Sequence, residues 1–264
     1  MNRIDAAFAR LSASHRFGLF PYLTVGFPTL EATEPLALTM LEAGADGVEL
    51  GIPFSDPVAD GVTLQRASER ALRNGASLRW SLQVARRLRE RTDKPLIAMT
   101  YFNPIYRYGI ERLAADAEAA GIDGLIVPDL PFAEAQSLME AATAHGMHVI
   151  QMLAPTSTDQ RLDEVERTAR GFVYCVSLLG TTGVRAQLSD RLPGFMRRVR
   201  SRVRQPLMVG FGIARPEHIE ALKSLADACV IGGAIADLLD TMPPGEGQAA
   251  LRAYVSELRA ACDG

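Results

Sequence analysis

Ile4, Phe8 and Leu11 recur at helical spacing, which predicts a short amphipathic helix over 2–14. An apolar run over 17–25, rich in aromatic and branched residues, then reads as a strand, with Pro21 expected near a strand end or an irregularity. Gly26-Phe27-Pro28-Thr29 breaks it, and Thr29 is the expected N-cap of a helix that runs to Glu42 and stops at Gly44. The same beat continues to the end of the chain. Strands are expected from Val48 and over 95–100, 125–127, 148–153, 172–177, 206–209 and 228–231. Helices are expected over 64–91 (split at Asn74-Gly75), 110–120, 133–144, 159–168, 192–203, 216–225 and 234–239. A Pro/Gly-rich linker over 241–247 precedes a final amphipathic helix over 249–261. Near-continuous apolar strands imply burial on both faces, as in parallel sheets. Eight strand–helix units in this length point to an α/β chain. The expected architecture is a single (β/α)8 TIM barrel spanning 1–264 as one domain, with an extra N-terminal helix and extra helices in the loops.

A repeat lies inside this pattern. Ala43-Gly44-Ala45-Asp46-Gly47-Val48-Glu49-Leu50 is echoed by Ala120-Gly121-Ile122-Asp123-Gly124-Leu125-Ile126-Val127. Each copy is a helix end, a Gly-Asp-Gly turn and a strand. Glu49 stands where the second copy has Ile126, so a carboxylate replaces a residue that packing alone would make apolar. Alternation turns Val48 and Leu50 toward the helices and Glu49 toward the barrel interior. Burying an unpaired charge is costly. The position at a strand's catalytic end favours a functional carboxylate over a buried ion pair with an arginine. Asp60 closes the loop that follows and by itself reads as a turn residue, as do Asp56 and Asp129.

Composition narrows the partners. Of the 264 residues 48% are hydrophobic and 22% charged, and the net charge of -3 gives no reason to expect a nucleic-acid partner or an anionic membrane surface. The basic runs at 86–91 and 197–204 read as solvated helix faces. Cys175, Cys229 and Cys262 form no CxxC and no disulfide framework, the first residues lack the apolar core of a secretory signal, and no apolar run spans a bilayer. The expected compartment is the cytoplasm.

A survey of strand ends narrows the chemistry. The two lysines, Lys94 and Lys223, lie away from those ends, so a Schiff base is not expected. The four histidines, His15, His145, His148 and His218, lie elsewhere too, so no metal site is expected. Of Tyr174 and Cys175 only one can face inward, and the thiol reads as inert. Carboxylate chemistry remains. Glycines at Gly180-Thr181-Thr182-Gly183, Gly210-Phe211-Gly212-Ile213 and Gly232-Gly233-Ala234 follow three successive strands, and together they favour a phosphate cradle over packing turns.

With these residues in view, the chain resembles the tryptophan synthase alpha subunit family. The segments that carry the resemblance are 48–61, Met99-Thr100-Tyr101-Phe102-Asn103-Pro104, 124–131, 174–177 and 210–213, in family order. The resemblance implies a lyase of L-tryptophan biosynthesis that cleaves indole-3-glycerol phosphate to indole and glyceraldehyde 3-phosphate. It implies that Glu49 is the general acid/base that protonates indole C3. Asp60 would accept a hydrogen bond from the indole N–H. Tyr22, Thr100 and Tyr174 would contact the substrate, and Gly183, Gly212, Gly232 and Gly233 would cradle its phosphate. Thr182 would lie on a closing loop. The resemblance further implies a tryptophan synthase beta subunit as partner in an alpha2beta2 heterotetramer, with Pro53, Phe54, Asp56 and Asp129 on the docking face. No cofactor is expected in this chain, and pyridoxal phosphate only in the beta partner. The alternatives are a stand-alone indole-releasing lyase, a non-catalytic subunit that activates a beta partner, and an unrelated phosphosugar isomerase. Gly233 stands where the family often has Ser, Val62 and Phe132 where Pro is common, and Leu178-Leu179 where a polar or basic residue is frequent.

Overall fold

The structure is a computed structural model of the chain, and it describes residues 1–176, 190–210, 212–243 and 245–264. Among the described residues nine parallel strands make up the sheet: β1 (Gly18–Thr24), β2 (Val48–Gly51), β3 (Leu96–Met99), β4 (Gly124–Ile126), β5 (His148–Val149), β6 (Gln151–Leu153), β7 (Val173–Val176), β8 (Leu207–Gly210) and β9 (Ala228–Ile231). Their order is β5-β4-β3-β2-β1-β9-β8-β7-β6. β5 and β6 are halves of the single run expected over 148–153, interrupted only at Ile150. The first half registers with β4 and the second with β7. The Ile150 N–H donates to Leu125 O at 2.8 Å. One stretch of chain thus joins both ends of the sheet and makes it a (β/α)8 TIM barrel.

Strand alternation divides the core into two layers. Phe20, Tyr22, Ile97, Met99, Ile126, Phe172, Tyr174, Met208 and Val230 face inward. Leu19, Val48, Leu50, Ala98, Leu125, Cys175, Val209 and Cys229 face the surrounding helices. Helix α1 (Arg3–Ala13) adds Ile4, Phe8 and Leu11 to the inner layer. The Phe8 ring stacks on Phe20 at 5.6 Å and meets Phe172 at 5.5 Å. This helix therefore plugs the N-terminal end of the barrel, and among the described residues none plugs the opposite end in the same way.

The remaining helices are α2 (Thr33–Glu42), α3 (Val62–Arg73), α4 (Leu78–Arg89), α5 (Phe102–Tyr108), α6 (Ile110–Ala119), α7 (Gln136–Ala144), α8 (Asp159–Thr168), α9 (Leu192–Arg200), α10 (Pro216–Leu222), α11 (Gly233–Thr241) and α12 (Gly247–Asp263). The break between α3 and α4 falls at Asn74-Gly75 as expected. Gly75 takes φ +95, and the Asn74 amide donates to Gly26 O and Pro28 O at 2.9 Å each. Four expectations need correction. Thr29 caps nothing, because α2 starts at Thr33, whose hydroxyl accepts from Gly26 N–H at 2.8 Å. Pro21 lies inside β1, at the point where the strand changes partner from β9 to β2. The helix expected from 133 opens as a 3-10 turn, Phe132–Glu134, and α7 begins at Gln136. Helix α5 was not foreseen; Pro104 in its first turn reads as a breaker but is tolerated there, where its missing N–H costs nothing.

The Gly-Asp-Gly repeat has a structural purpose. Asp46 N–H donates to Leu19 O at 2.8 Å and the Asp46 carboxylate accepts from Leu19 N–H at 2.9 Å. Asp123 makes the same reciprocal pair with Leu96, at 2.9 Å in both directions. Asp227, whose neighbours are alanines rather than glycines, repeats it with Leu207 at 2.8 and 2.7 Å. An arginine sits on each carboxylate: Arg259 on Asp46 at 2.9 Å, Arg89 on Asp123 at 2.8 Å and Arg200 on Asp227 at 2.6 Å. Each aspartate ties the start of its own strand to the start of the preceding one. These pins line the closed end of the barrel, the face that serves stability in this fold.

Candidate active site

Glu49 lies in register with Tyr22 on β1 and Ile97 on β3, facing the barrel interior, and is 1% exposed. After β2 the chain leaves regular structure and returns to bury Asp60, 2% exposed, just before α3. That return is held by three bonds. Asp60 N–H donates to Pro57 O at 3.0 Å, the Gln65 amide donates to Asp60 O at 3.0 Å, and Ala59 N–H donates to the Tyr101 hydroxyl at 3.1 Å. Both carboxylates line one cleft at the C-terminal end of the barrel.

Their charge states are pushed apart. Burial, and then the charge of Asp60, raise the Glu49 carboxyl from 4.5 to about 8. Burial raises Asp60 from 3.8 to about 6, opposed by the Tyr101 hydroxyl. Glu49 is therefore mostly protonated near neutrality and Asp60 mostly ionised. Glu49 Oε2 and Asp60 Oδ1 have no hydrogen-bond partner among the described residues. The structural alternative for Glu49 asked for an arginine, and among the described residues no ion pair reaches it. Burial also raises the hydroxyls of Tyr22 and Tyr174 well above their ordinary value, so both stay neutral. Cys175 faces the helices, its thiol pushed up to about 12 by burial.

Tyr22, Leu64, Met99, Tyr174, Ile213 and Val230 give the cleft largely apolar walls. Gly212 (φ +76), Gly232 and Gly233 line its far side, where α11 begins without a side-chain cap; the first N–H groups of a helix have no partner within it. A Cβ added at Gly233 would meet nothing within 4 Å. Gly210 has a different reason to be glycine. A Cβ there would stand 1.9 Å from the Tyr174 hydroxyl, and one at Gly51 would stand 1.9 Å from that of Tyr22. These two glycines let the tyrosines fold over their neighbouring strands.

Tyr22, Glu49, Asp60, Tyr174, Gly212, Gly232 and Gly233 thus share the cleft. Thr100 does not; the alternation that turns Ile97 and Met99 inward turns it outward, and its hydroxyl lies 3.5 Å from Ile52 O. Thr182 and Gly183 lie outside the described residues. Sequence reading missed Met99 and Val230, which inward alternation on β3 and β9 would have found. It also missed Thr63 and Leu64, whose approach depends on the path of the preceding loop. Of the residues expected on a docking face, Pro53 is buried and Phe54 is half-buried against the Tyr101 ring at 5.5 Å. Asp56 is exposed, and Asp129 is exposed with its carboxylate accepting from Phe102 N–H at 2.8 Å, which caps α5. Val58 and Tyr106 present exposed apolar side chains. Lys94 is spent at the closed end, donating to Leu41 O and Ala45 O at 2.8 and 2.7 Å. Among the described residues no cluster of His, Cys, Asp or Glu is arranged to hold a metal, and no helix is long and apolar enough to cross a membrane.

The family model described as tryptophan synthase alpha chain matches residues 8–262. This chain belongs to the tryptophan synthase alpha chain family. The tryptophan synthase alpha chain of Chloroflexus aggregans is 46% identical over 264 residues, covering 100% of this chain and 99% of the relative. That of Geobacter sulfurreducens is 44% identical and covers 99% of each. Among solved structures, tryptophan synthase subunit alpha from Legionella pneumophila superposes with a TM-score of 0.92 at 35% identity, covering 99% of this chain and 98% of that one. A chain of tryptophan synthase from M. tuberculosis in its aminoacrylate-bound form gives 0.88 at 34% identity, covering 99% and 100%. The family assignment and the barrel agree with what the sequence alone led us to expect.

Proposed function

We propose that this chain cleaves indole-3-glycerol phosphate to indole and glyceraldehyde 3-phosphate, as the alpha subunit in tryptophan biosynthesis, with Glu49 and Asp60 carrying the chemistry. The observation behind this is the pair of buried carboxylates on one apolar cleft, with their pKa values pushed apart to about 8 and about 6. A protonated acid beside an ionised one is the arrangement that acid/base work near neutrality requires. The Glu49 carboxyl gives its proton to indole C3, and the positive charge that develops on the ring nitrogen is met by the Asp60 carboxylate. The C3–C1′ bond then breaks, and its electrons return to the ring to restore indole. The side-chain hydroxyl on C1′ becomes the aldehyde and surrenders its proton to Glu49, which ends the cycle as it began. No resident cofactor of this chain takes part in the proposed steps.

Tyr22, Leu64, Met99 and Tyr174 make the apolar wall that suits an indole ring. The N-terminus of α11, with Gly212, Gly232 and Gly233, suits the phosphate. The family frame, with the exposed Asp56, Val58 and Tyr106, supports docking of a tryptophan synthase beta subunit that holds pyridoxal phosphate, in an alpha2beta2 assembly in the cytoplasm. The test is indole release by the purified chain, alone and with added beta subunit. Glu49→Gln is expected to abolish release while the circular dichroism spectrum is kept. Near-normal turnover by that variant would overturn the proposal.

A further inference from the structure

Asp60 sits at the end of a loop, so no ladder of backbone bonds fixes it, and two side chains do that instead. Gln65 holds the Asp60 carbonyl from α3 at 3.0 Å. From the other side Tyr101, fully buried just before α5, accepts the N–H of Ala59 at 3.1 Å. The phenol oxygen thus accepts the N–H of the residue next to Asp60, which leaves its own proton to donate, and the hydroxyl feels the Asp60 charge. The ring is gripped in turn by Phe54, with centroids 5.5 Å apart.

We infer that Tyr101 is a positioning residue for Asp60: it anchors the Ala59–Asp60 peptide through its oxygen, steadies the ionised carboxylate through its proton, and leaves Asp60 Oδ1 free for the substrate. The inference rests on the lyase reading of Asp60. Asp60 Oδ1 is buried and has no partner among the described residues, as a group kept for a ligand would be. The phenol suits this role because burial and the neighbouring carboxylates keep it protonated throughout the working range. Among the described residues, the other titratable groups that face these two are Glu49, Asp129, Tyr22 and Tyr174. Glu49 on β2, protonated near neutrality, holds its proton for indole C3 in the proposed reaction. Asp129 beyond β4 adds a further negative charge near Tyr101, and Tyr22 and Tyr174 feel the charge of Asp60.

The test is Tyr101→Phe, which keeps the ring against Phe54 and removes only the hydroxyl. A hydrogen bond to a charged group supports a loss of kcat of roughly 10- to 100-fold, with KM within about twofold of wild type. The acid limb of the kcat/KM profile is expected to move up from about 6 by roughly one pH unit. The same rise is expected in a carbon-13 titration of the Asp60 carboxylate in the ligand-free protein, a readout that needs no turnover. An unchanged acid limb, an unchanged carbon-13 titration, or a loss seen only in KM or melting temperature would overturn the positioning role. Asp60→Asn, assayed in parallel, separates this from failure of the lyase reading. If Asp60→Asn keeps its activity the lyase reading falls. If it is inactive while Tyr101→Phe behaves as wild type, only the role of Tyr101 falls.

Discussion

Replacing Glu49 by Gln should make the protein more stable, and increasingly so as the pH rises. The fold holds this carboxyl at about 8, whereas in the unfolded chain it returns to its ordinary 4.5. The folded-state pKa of an acid is thus raised. The stability linked to it is fully present below about pH 4.5, and is lost as the pH climbs through about 8. Over that window the unfolded chain gains a solvated charge that the folded chain cannot accept. At about 1.4 kcal/mol per pH unit the whole window is worth up to roughly 5 kcal/mol, of which less than about 1 kcal/mol has been lost by about pH 5. Glutamine has nearly the same shape and no charge to lose. The gap between variant and wild type should therefore widen by roughly 3–4 kcal/mol from about pH 5 to about pH 8. In a chain of this size that corresponds to a melting-temperature gap growing by roughly 2–4 °C for each kcal/mol. Urea denaturation of both proteins at the two pH values reads the gap directly. A gap that does not change with pH, or a variant less stable than wild type at about pH 8, would refute the claim that Glu49 is a buried acid held neutral by its surroundings. Such relief is what a site that trades stability for activity is expected to show.

Two further outcomes follow from the same cleft. Activity should be bell-shaped in pH, falling below about 6 as Asp60 takes a proton and above about 8 as Glu49 loses one; a profile flat across that window would contradict the assigned protonation states. Gly233→Ser should be accepted without loss of melting temperature, because its Cβ enters open space, and its hydroxyl at the start of α11 should lower KM by roughly 3- to 10-fold; an unchanged KM would show that the phosphate lies elsewhere.

Much of this could be read from the residues. Glu49 was visible because a repeat supplied its own control: the sister position, Ile126, is what packing alone would choose. Strand alternation then sent Glu49 inward with nothing more than a period of two. The same rule also sends Thr100 outward and Met99 inward, although the resemblance had grouped Thr100 with the substrate contacts. Asp60 was different. It belongs to a loop, where no period says which way a side chain faces, and by itself it reads as a turn.

The order of the strands, their inner and outer faces and the carboxylate at position 49 are properties of local pattern, and the sequence by itself determined them. Tertiary structure alone decided which distant groups meet. It brought Asp60 back over Glu49 with Tyr101 and Gln65 holding it, and it used the single run at 148–153 to close the sheet on both sides. It set the three strand-start aspartates against arginines from other elements, and it spent Gly51 and Gly210 on the hydroxyls of Tyr22 and Tyr174. The physical reason is burial. A carboxylate reaches about 8 only when the assembled barrel removes water from it and sets a second charge beside it, and no stretch of chain carries that environment within its own neighbours.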